Sequence, residues 1–256
     1  IPSKVLSADQ LGLPEGDRKL TMLKKGLVLI TGPTGSGKST TLAAMIDLIN
    51  RTRREHILTL EDPLEFIHEN QLSLLNQRQI GQHSQSFANA LRAALREDPD
   101  VILVGEMRDL ETISLAMTAA ETGHLVFGTL HTNSAPKTID RIIDVFPKDA
   151  QEQVRTMLGE SLKGVVCQQL LRKADGKGRV AALEILICNA AVANLIREGK
   201  TFQVPSIMQT AKGDGMQLMD QHILELLKSK HISGEEAYRC ASDKKAFQAY
   251  LPNKRQ

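Results

Sequence analysis

A glycine-rich segment near the start of the chain has the residue types and the spacing of a phosphate-binding loop. Residues 32–39 read GPTGSGKS and match the pattern G-x-x-x-x-G-K-[ST] in full. Glycines let backbone N–H groups turn toward phosphate oxygens, and the start of the following helix adds partial positive charge. We expect Lys38 to reach the β- and γ-phosphates of a nucleotide and the Ser39 hydroxyl to ligate Mg²⁺.

The alternative for this segment is a glycine-rich turn that contains Lys-Ser by chance. It is disfavoured because a short apolar run at residues 26–31 precedes the loop and a helical pattern of apolar residues follows it. The predicted nucleotide-binding residues are Gly32, Pro33, Thr34, Gly35, Ser36, Gly37, Lys38, Ser39 and Thr40.

An acidic residue that follows a second apolar run could serve the same site. Residues 101–104 are followed by Gly105, where a P-loop protein usually has aspartate, and then by Glu106. Glu106 could hold the water shell of Mg²⁺ or orient a water molecule; the alternative is a surface glutamate after a strand. The neighbouring Arg108 and Asp109 are interpreted as a surface charge and a helix cap.

Three further carboxylates, Glu61, Asp62 and Glu65, lie within five residues after the apolar run 56–60. Carboxylates gathered beside a phosphate site are costly unless a metal ion or a proton uses them. One of them could be the general base that activates water. The alternative is a solvated acidic turn, and the residue types alone favour neither interpretation.

His131 is the most informative of the seven histidines. It ends the apolar run 124–130, where a polar side chain could hydrogen-bond a γ-phosphate, although a lone histidine is more often structural. The sequence contains no spacing of His, Cys and Asp that is typical of a transition-metal site. Cys167, Cys188 and Cys240 are far apart in the sequence, and we expect three reduced thiols.

Apolar runs alternate with helical patterns in the first half of the chain. Strands are predicted at residues 26–31, 56–60, 101–104 and 124–130, and helices at residues 39–50, 86–96 and 110–121. This alternation is typical of an α/β fold with a mostly parallel sheet and helices on both faces. The candidate residues would then lie at strand ends.

After Thr132 the pattern is mainly helical. Helices are predicted at residues 135–145, 148–165, 190–198 and 216–228, and strands at residues 166–171 and 180–187. The polar start of the chain reads as an interdomain linker with one short helix at residues 17–23. We therefore expect a linker at 1–25, an α/β core that contains the P-loop at 26–189 and a helical C-terminal region at 190–256.

The composition argues against several classes of protein. The formal charge is +2 at pH 7, whereas a dedicated nucleic-acid binder usually carries a strong basic excess. Tryptophan is absent and aromatic residues make up 3%, so stacking platforms for single strands are not expected. No apolar run is long enough to span a membrane, and no signal-peptide pattern is present. We expect a cytoplasmic protein with no nucleic-acid partner and no transmembrane segment.

Four motifs in a fixed order resemble one known family. Residues 32–40, 61–66, 104–109 and 123–132 are similar to the Walker A motif, Asp box, Walker B motif and His box of the type II secretion and type IV pilus ATPases. The resemblance runs from residue 1 to about residue 220 and is strongest to the retraction motors of that family. It implies a RecA-like P-loop core that works as a ring-shaped homohexamer and uses ATP and Mg²⁺.

The same resemblance implies roles for the candidate residues. Glu65 would be the general base that polarises the attacking water, Glu106 would act on Mg²⁺ through water, and His131 would contact the γ-phosphate. Lys38 and Ser39 would bind the phosphates and Mg²⁺. The implied activity is ATP hydrolysis that powers pilus retraction and twitching motility. The implied partner is an inner-membrane pilus platform protein, which the motor would meet in the cytoplasm at the pilus base.

A PAS-like domain normally precedes this motor domain in the family, and residues 1–4 resemble the end of the linker that follows it. Arginine fingers would lie in that domain, and such a finger contributes roughly 10³–10⁵ in turnover. The resemblance therefore implies weak ATPase activity from this chain alone, even where ATP binds well.

One segment departs from the retraction motors. Residues 191–198 read AVANLIRE, and Ala193 stands where their signature has an arginine, whose guanidinium a methyl group does not replace. The chain also lacks the four-cysteine zinc insertion that is usual in assembly and secretion motors, which favours retraction. Three other interpretations are open: an assembly or secretion motor, a nucleic-acid translocase that the near-neutral charge disfavours, and a scaffold that binds nucleotide without hydrolysing it.

Overall fold

The strands form one mixed sheet. The computed structural model describes residues 4–251, and the strands in that range are β1 (Gly26–Thr31), β2 (His56–Glu61), β3 (Leu74–Gln79), β4 (Val101–Val104), β5 (Leu125–Leu130), β6 (Leu162–Arg172) and β7 (Arg179–Ile187). They lie in the order β3-β2-β4-β5-β1-β6-β7. Neighbours pair in parallel, except that β6 and β7 pair antiparallel. The carboxyl ends of β2, β4, β5 and β1 therefore meet at one edge of the sheet.

Helices cover both faces of this sheet. Those in the described residues are α1 (Ala8–Leu11), α2 (Glu15–Thr21), α3 (Lys38–Thr52), α4 (Phe87–Ala94), α5 (Leu110–Glu121), α6 (Ala135–Asp144), α7 (Gln151–Ser161), α8 (Ala190–Arg197), α9 (Val204–Thr210), α10 (Met219–Lys228), α11 (Gly234–Cys240) and α12 (Lys244–Phe247). Side chains of α1 to α3 belong to one buried apolar cluster, and side chains of α4 to α12 belong to the other.

Strand β1 shows why the central strands are apolar throughout. Successive side chains of a strand point to opposite faces. Leu27 and Leu29 lie in the cluster with α4 to α12, whereas Val28 and Ile30 lie in the cluster with α1 to α3. Every residue of β1 is buried. A strand that is covered on both faces reads as a continuous apolar run, which is the pattern that predicted it.

Seven of the described helices follow a residue whose side chain accepts a backbone N–H group, and four of them lie between α4 and α8. Ser86 caps α4, Asp109 caps α5, Ser134 caps α6 and Asn189 caps α8. Such caps satisfy N–H groups that have no partner inside the helix. The interpretation of Asp109 as a helix cap is confirmed.

The α/β class and the mostly parallel sheet are confirmed, and β1, β4 and α5 have the predicted bounds. The helix predicted at residues 148–165 is wrong at its end, because α7 stops at Ser161 and β6 begins at Leu162. A short apolar run fits either element, and pairing with β1 fixes this one as a strand. Strand β3 has no counterpart in the prediction, because it is a mostly polar edge strand in which Leu75 is the buried residue.

The N-terminal segment is more structured than predicted. Two helices, α1 and α2, replace the one expected at residues 17–23, and Leu13 and Leu20 are buried in the cluster with α3. The units 1–25, 26–189 and 190–256 stay a prediction. Leu158 and Val192, on either side of the second boundary, lie in the same buried cluster. Residues 1–3 of the linker and 252–256 of the last unit lie outside the described residues.

The three cysteines are free thiols, as the sequence predicts. Burial raises the pKa of the Cys167 thiol to about 12, so this side chain is neutral near pH 7 and packs as a small apolar group. Across residues 4–251, no helix has both the length and the apolar character that crossing a membrane requires.

Candidate active site

The P-loop connects the end of β1 to the start of α3. Gly32 follows β1 with a φ of 142°, and Gly37 precedes α3 with a φ of 88°. A Cβ atom on Gly32 would lie 2.3 Å from the carbonyl oxygen of Gln168 on β6, closer than packed atoms approach. Both positions therefore require glycine, and the loop has the backbone that the motif predicts.

Lys38 is the first residue of α3, and its side chain turns back onto the loop. Its Nζ donates hydrogen bonds to the carbonyl oxygens of Gly32, at 2.8 Å, and Pro33, at 3.1 Å. Burial lowers the pKa of Lys38, and the carboxylates of Glu106 and Glu65 oppose that shift. The loop carbonyls thus engage two of the three ammonium donors and hold the positive charge where this motif binds phosphate.

Glu65 is the carboxylate of the acidic cluster that reaches the P-loop. The Ser39 hydroxyl donates a 2.7 Å hydrogen bond to its Oε1. Glu65 lies beyond the end of β2, and Ser39 lies in the first turn of α3. The contact therefore links the acidic segment to the predicted Mg²⁺ ligand. The carboxylate of Glu65 is exposed, so it can accept a proton from a water molecule beside the phosphates.

Glu61 and Asp62 have different surroundings. Glu61 ends β2, and its Oε2 accepts hydrogen bonds from Thr59 at 2.7 Å and Gln77 at 3.3 Å. Burial raises the pKa of Glu61, although those hydrogen bonds lower it. Asp62 is exposed. The structure thus distinguishes carboxylates that the sequence left equivalent, because Glu61 bonds to side chains of the sheet and Glu65 bonds to the P-loop.

Glu106 and His131 lie side by side at the ends of β4 and β5. His131 Nε2 is 2.8 Å from Glu106 Oε1, and Arg108 Nε is 2.5 Å from the same oxygen. Burial raises the pKa of Glu106, but the hydrogen bonds from Arg108 and His131 outweigh it and hold the pKa below its ordinary value. Thr129 donates a hydrogen bond to the carbonyl of Gly105 and joins the two strand ends. Glu106 is therefore an ionised acid beside a histidine.

A cleft of about 480 Å³ brings these side chains together. The predicted site residues that line it are Thr34, Gly35, Gly37, Lys38, Ser39, Thr40, Glu65, Glu106 and His131. The remaining predicted residues, Gly32, Pro33 and Ser36, belong to the same loop, and the Ser36 side chain is buried beneath it at 3% exposure. Segments that are distant in sequence thus form one concave site of the kind that binds small ligands.

Two contributors were missed by sequence reasoning. Arg108 is an exposed surface charge, as predicted, but its ion pair with Glu106 was not foreseen. Gln168, on the buried strand β6, donates a hydrogen bond to the carbonyl of Ser36 and accepts one from Thr41. A polar residue inside the apolar run of β6 is the signal that could have indicated Gln168, because a buried amide needs partners.

The oxygen atoms at this site fit Mg²⁺. The Ser39 hydroxyl and the carboxylates of Glu65 and Glu106 are hard oxygen donors, which Mg²⁺ prefers, and this ion usually keeps several waters and phosphate oxygens as its other ligands. Among residues 4–251, no group of three or more His, Cys, Asp and Glu side chains is placed to hold a metal ion by itself. An ion held directly by Ser39 and through water by one carboxylate is compatible with the hard oxygen donors and with the lack of a larger cluster of ligating side chains.

Comparisons with known proteins agree with this geometry. The family "Type II/IV secretion system protein" matches residues 3–212. The chain is 60% identical over 247 residues to a "Twitching motility protein" of Neisseria gonorrhoeae, covering 96% of this chain and 66% of that protein. It is 58% identical over 237 residues to "Type IV pilus retractation ATPase PilT" of Pseudomonas aeruginosa, covering 93% and 69%. The chain thus spans about two thirds of the length of these relatives.

Comparison with solved structures points to the same family of ATPases. The crystal structure of the pilus retraction motor PilT with bound ADP matches with a TM-score of 0.91 and 53% identity, over 97% of this chain and 71% of that one. The ATPase DotB of Legionella pneumophila matches with a TM-score of 0.85 and 33% identity, over 93% and 66%. The family predicted from the four motifs is confirmed, and this chain belongs to the type II/IV secretion system protein family.

Proposed function

We propose that this chain is the motor domain of an ATPase that powers retraction of a type IV pilus. The observation that carries the proposal is the hydrogen bond between Glu65 and the P-loop serine, Ser39, in the cleft that also contains Lys38, Glu106 and His131. It joins a candidate base to a candidate phosphate site. Relatives with 60% and 58% identity, named for twitching motility and pilus retraction, support the biological role.

The site residues divide the work of hydrolysis among them. Lys38 binds the terminal phosphates of ATP, and Glu65 accepts a proton from water. The water oxygen bonds to the γ-phosphorus while the bond from that phosphorus to the oxygen of the leaving ADP breaks. His131, held by Glu106, hydrogen-bonds a γ-phosphate oxygen. When bound, Mg²⁺ supplies neutralisation of phosphate charge, and the residues that would hold it are Ser39 and, through water, Glu106.

The proposal extends to assembly and partners. A motor of this kind works as a homohexamer in which nucleotide binding favours one conformation over another. It acts on an inner-membrane pilus platform protein from the cytoplasmic side of the membrane. Relatives named for pilus retraction support the link to a pilus, and the platform partner and the placement rest on the family resemblance.

Nucleotide binding is the first test of the proposal. Replacing Lys38 with alanine removes a charge-assisted hydrogen bond worth about 1.5–3 kcal/mol, which corresponds to a roughly tenfold to hundredfold weaker affinity. We expect calorimetry to show this loss for Mg-ADP. The matched control is Lys25→Ala, which removes the same charge from an exposed residue outside the cleft and should bind as the unmodified protein does. Equal affinity of all three proteins would contradict the assignment of the P-loop.

The main alternative is an assembly or secretion motor. The chain is 45% identical over 172 residues to a type II secretion system protein E of Pseudomonas aeruginosa, and Ala193 departs from the retraction signature. A retraction motor and an assembly motor differ in the direction of the force that they apply to the pilus. Cells that lack a retraction motor keep surface pili that do not shorten, whereas cells that lack an assembly motor have no pili.

A further inference from the structure

Gln168 lies directly beneath the P-loop. The residue before it on β6, Cys167, pairs with Thr31, the last residue of β1. Gln168 is therefore level with Gly32, where the P-loop leaves the sheet, and its carbonyl oxygen is the atom that a side chain on Gly32 would strike. Its own side chain is 4% exposed.

The Gln168 amide joins two separate parts of the phosphate-binding segment. Its Nε2 donates a 2.7 Å hydrogen bond to the carbonyl oxygen of Ser36, in the middle of the loop. Its Oε1 accepts a 2.7 Å hydrogen bond from the hydroxyl of Thr41, in the first turn of α3. The same Nε2 lies 2.8 Å from the position that a Cβ atom on Gly37 would take. One buried side chain thus contacts the loop and the helix that follows it.

A primary amide suits these surroundings because it has a donor and an acceptor and no charge. A carboxylate at this position would face the Ser36 carbonyl with an oxygen and would add negative charge beneath a phosphate site. An apolar side chain would leave the Ser36 carbonyl and the Thr41 hydroxyl without their partner. A buried polar group that loses its partner is costly, so such a change would strain the loop.

We propose that Gln168 is a positioning residue that holds the P-loop in its phosphate-binding shape and so sets the affinity for nucleotide. The inference rests on the proposed function for the identity of the ligand, and on the hydrogen bonds alone for the effect on the loop. Backbone N–H groups bind phosphate well when they are fixed before the ligand arrives. Loss of the Gln168 amide should therefore weaken nucleotide binding more than it lowers kcat.

Three variants separate the two hydrogen bonds. Gln168→Met keeps the length of the side chain and removes both. Gln168→Glu keeps the acceptor for Thr41 and removes the donor to Ser36. Thr41→Val keeps the shape of Thr41 and removes its donor alone. The matched control is Gln169→Met, because the next residue of a strand points to the opposite face and Gln169 does not line the cleft.

Affinity for Mg-ADP and the KM and kcat for Mg-ATP are then measured on the whole chain. We expect Gln168→Met and Gln168→Glu to raise Kd and KM by about tenfold or more, as loss of one to two hydrogen bonds predicts, with a smaller change in kcat. Thr41→Val should have a weaker effect, and Gln169→Met should match the unmodified protein. A Gln168→Met protein that is folded and binds Mg-ADP within about twofold of the unmodified protein would overturn the proposal.

Hydrogen exchange of the nucleotide-free protein gives a second, independent readout. The amides of Ser36 and Thr41, which donate backbone hydrogen bonds to the loop carbonyls of Pro33 and Gly37, should exchange faster in Gln168→Met than in Gln169→Met, while those of β4 should be unchanged. This comparison needs no ligand. If the unmodified protein itself failed to bind nucleotide, the proposed function would fall, and the exchange of the loop amides would still decide the role of Gln168. Equal exchange in both variants would refute that role.

Discussion

The hydrogen bond from Ser39 to Glu65 separates residues that look alike in the sequence. Glu61, Asp62 and Glu65 are three carboxylates in one short acidic segment, and their types do not show which one could act on water. In the structure Glu61 accepts hydrogen bonds from Thr59 and Gln77, whereas Glu65 accepts one from the P-loop. Partner identity therefore favours Glu65 as the base, in agreement with the role that the family resemblance implies.

Burial of the Asp17 carboxyl group lowers the stability of the folded protein by an amount that depends on pH. Its carboxyl group, on α2, is fully buried, and neither oxygen has a hydrogen-bond partner in the described part of the chain. Burial raises the pKa of Asp17 to about 7, from 3.8. The folded protein therefore holds this proton more tightly than the unfolded chain does. As pH rises from about 4 to 7, the unfolded chain ionises first and stability falls by about 4 kcal/mol.

The Asp17→Asn variant tests this dependence because it cannot ionise. Chemical denaturation between pH 4 and pH 8 should show that the unmodified protein loses stability relative to the variant across that range. The difference should level off above pH 7. A difference between the two proteins that is the same at pH 4 and pH 8 would show that Asp17 is not buried as a carboxylic acid.

At the scale of the elements, the β6–β7 hairpin carries buried polar side chains on both of its faces. Gln168 lies on one face, and Glu184 lies on the other. Glu184 on β7 is 6% exposed. Its Oε1 accepts a 2.8 Å hydrogen bond from the N–H of Ala135, and its Oε2 accepts a 3.3 Å one from the N–H of Met219. These are the first residues of α6 and α10, so one carboxylate caps two helices and holds them on the sheet.

Removing this carboxylate should loosen both helices. We expect Glu184→Ala to lower the free energy of unfolding by about 2–4 kcal/mol, because two buried N–H groups lose their acceptor. Glu184→Gln keeps one acceptor oxygen and should lose less. Denaturant titration measures the change, and Glu160→Ala, on the exposed side of α7, is the control, with an expected change within about 0.5 kcal/mol. A Glu184→Ala protein as stable as this control would contradict the capping role.

Some elements can be predicted from the sequence and others cannot, for a physical reason. Strands β1 and β4 are buried on both faces, and helix α5 has a capping residue and a continuous periodic pattern, so local residues determine all three. The start of β6 depends on pairing with β1, which lies more than 100 residues earlier in the chain. The edge strand β3 buries little and therefore has little apolar signal.

At the scale of the whole molecule, sheet order assembles the site. Strands β2, β4, β5 and β1 are consecutive in the sheet, so the residues that follow them face one cleft. Motif spacing was sufficient to predict Lys38 and to offer Glu106 and His131 as candidates, whereas Glu65 was singled out from its acidic segment by the family resemblance. The polar residues in the apolar run of β6 indicate a buried amide, but motif spacing does not show its partner, because the hydrogen bond from Gln168 to Ser36 joins residues 132 positions apart.

The most direct test of the motor proposal is Mg-ATP hydrolysis by the unmodified chain and by Glu65→Gln. Rate and particle mass are measured together as protein concentration increases. The control is Glu69→Gln, which makes the same change at an exposed residue outside the cleft.

We predict that turnover by the unmodified chain and by the control rises as hexamers form. Glu65→Gln should still bind Mg-ATP but hydrolyse it at least about 10²-fold more slowly, because the proton acceptor is lost. A hexamer that binds Mg-ATP but hydrolyses it no faster than Glu65→Gln, even when the PAS-like domain that precedes the motor domain in the family is joined to the chain, would contradict the proposal and favour a nucleotide-dependent scaffold.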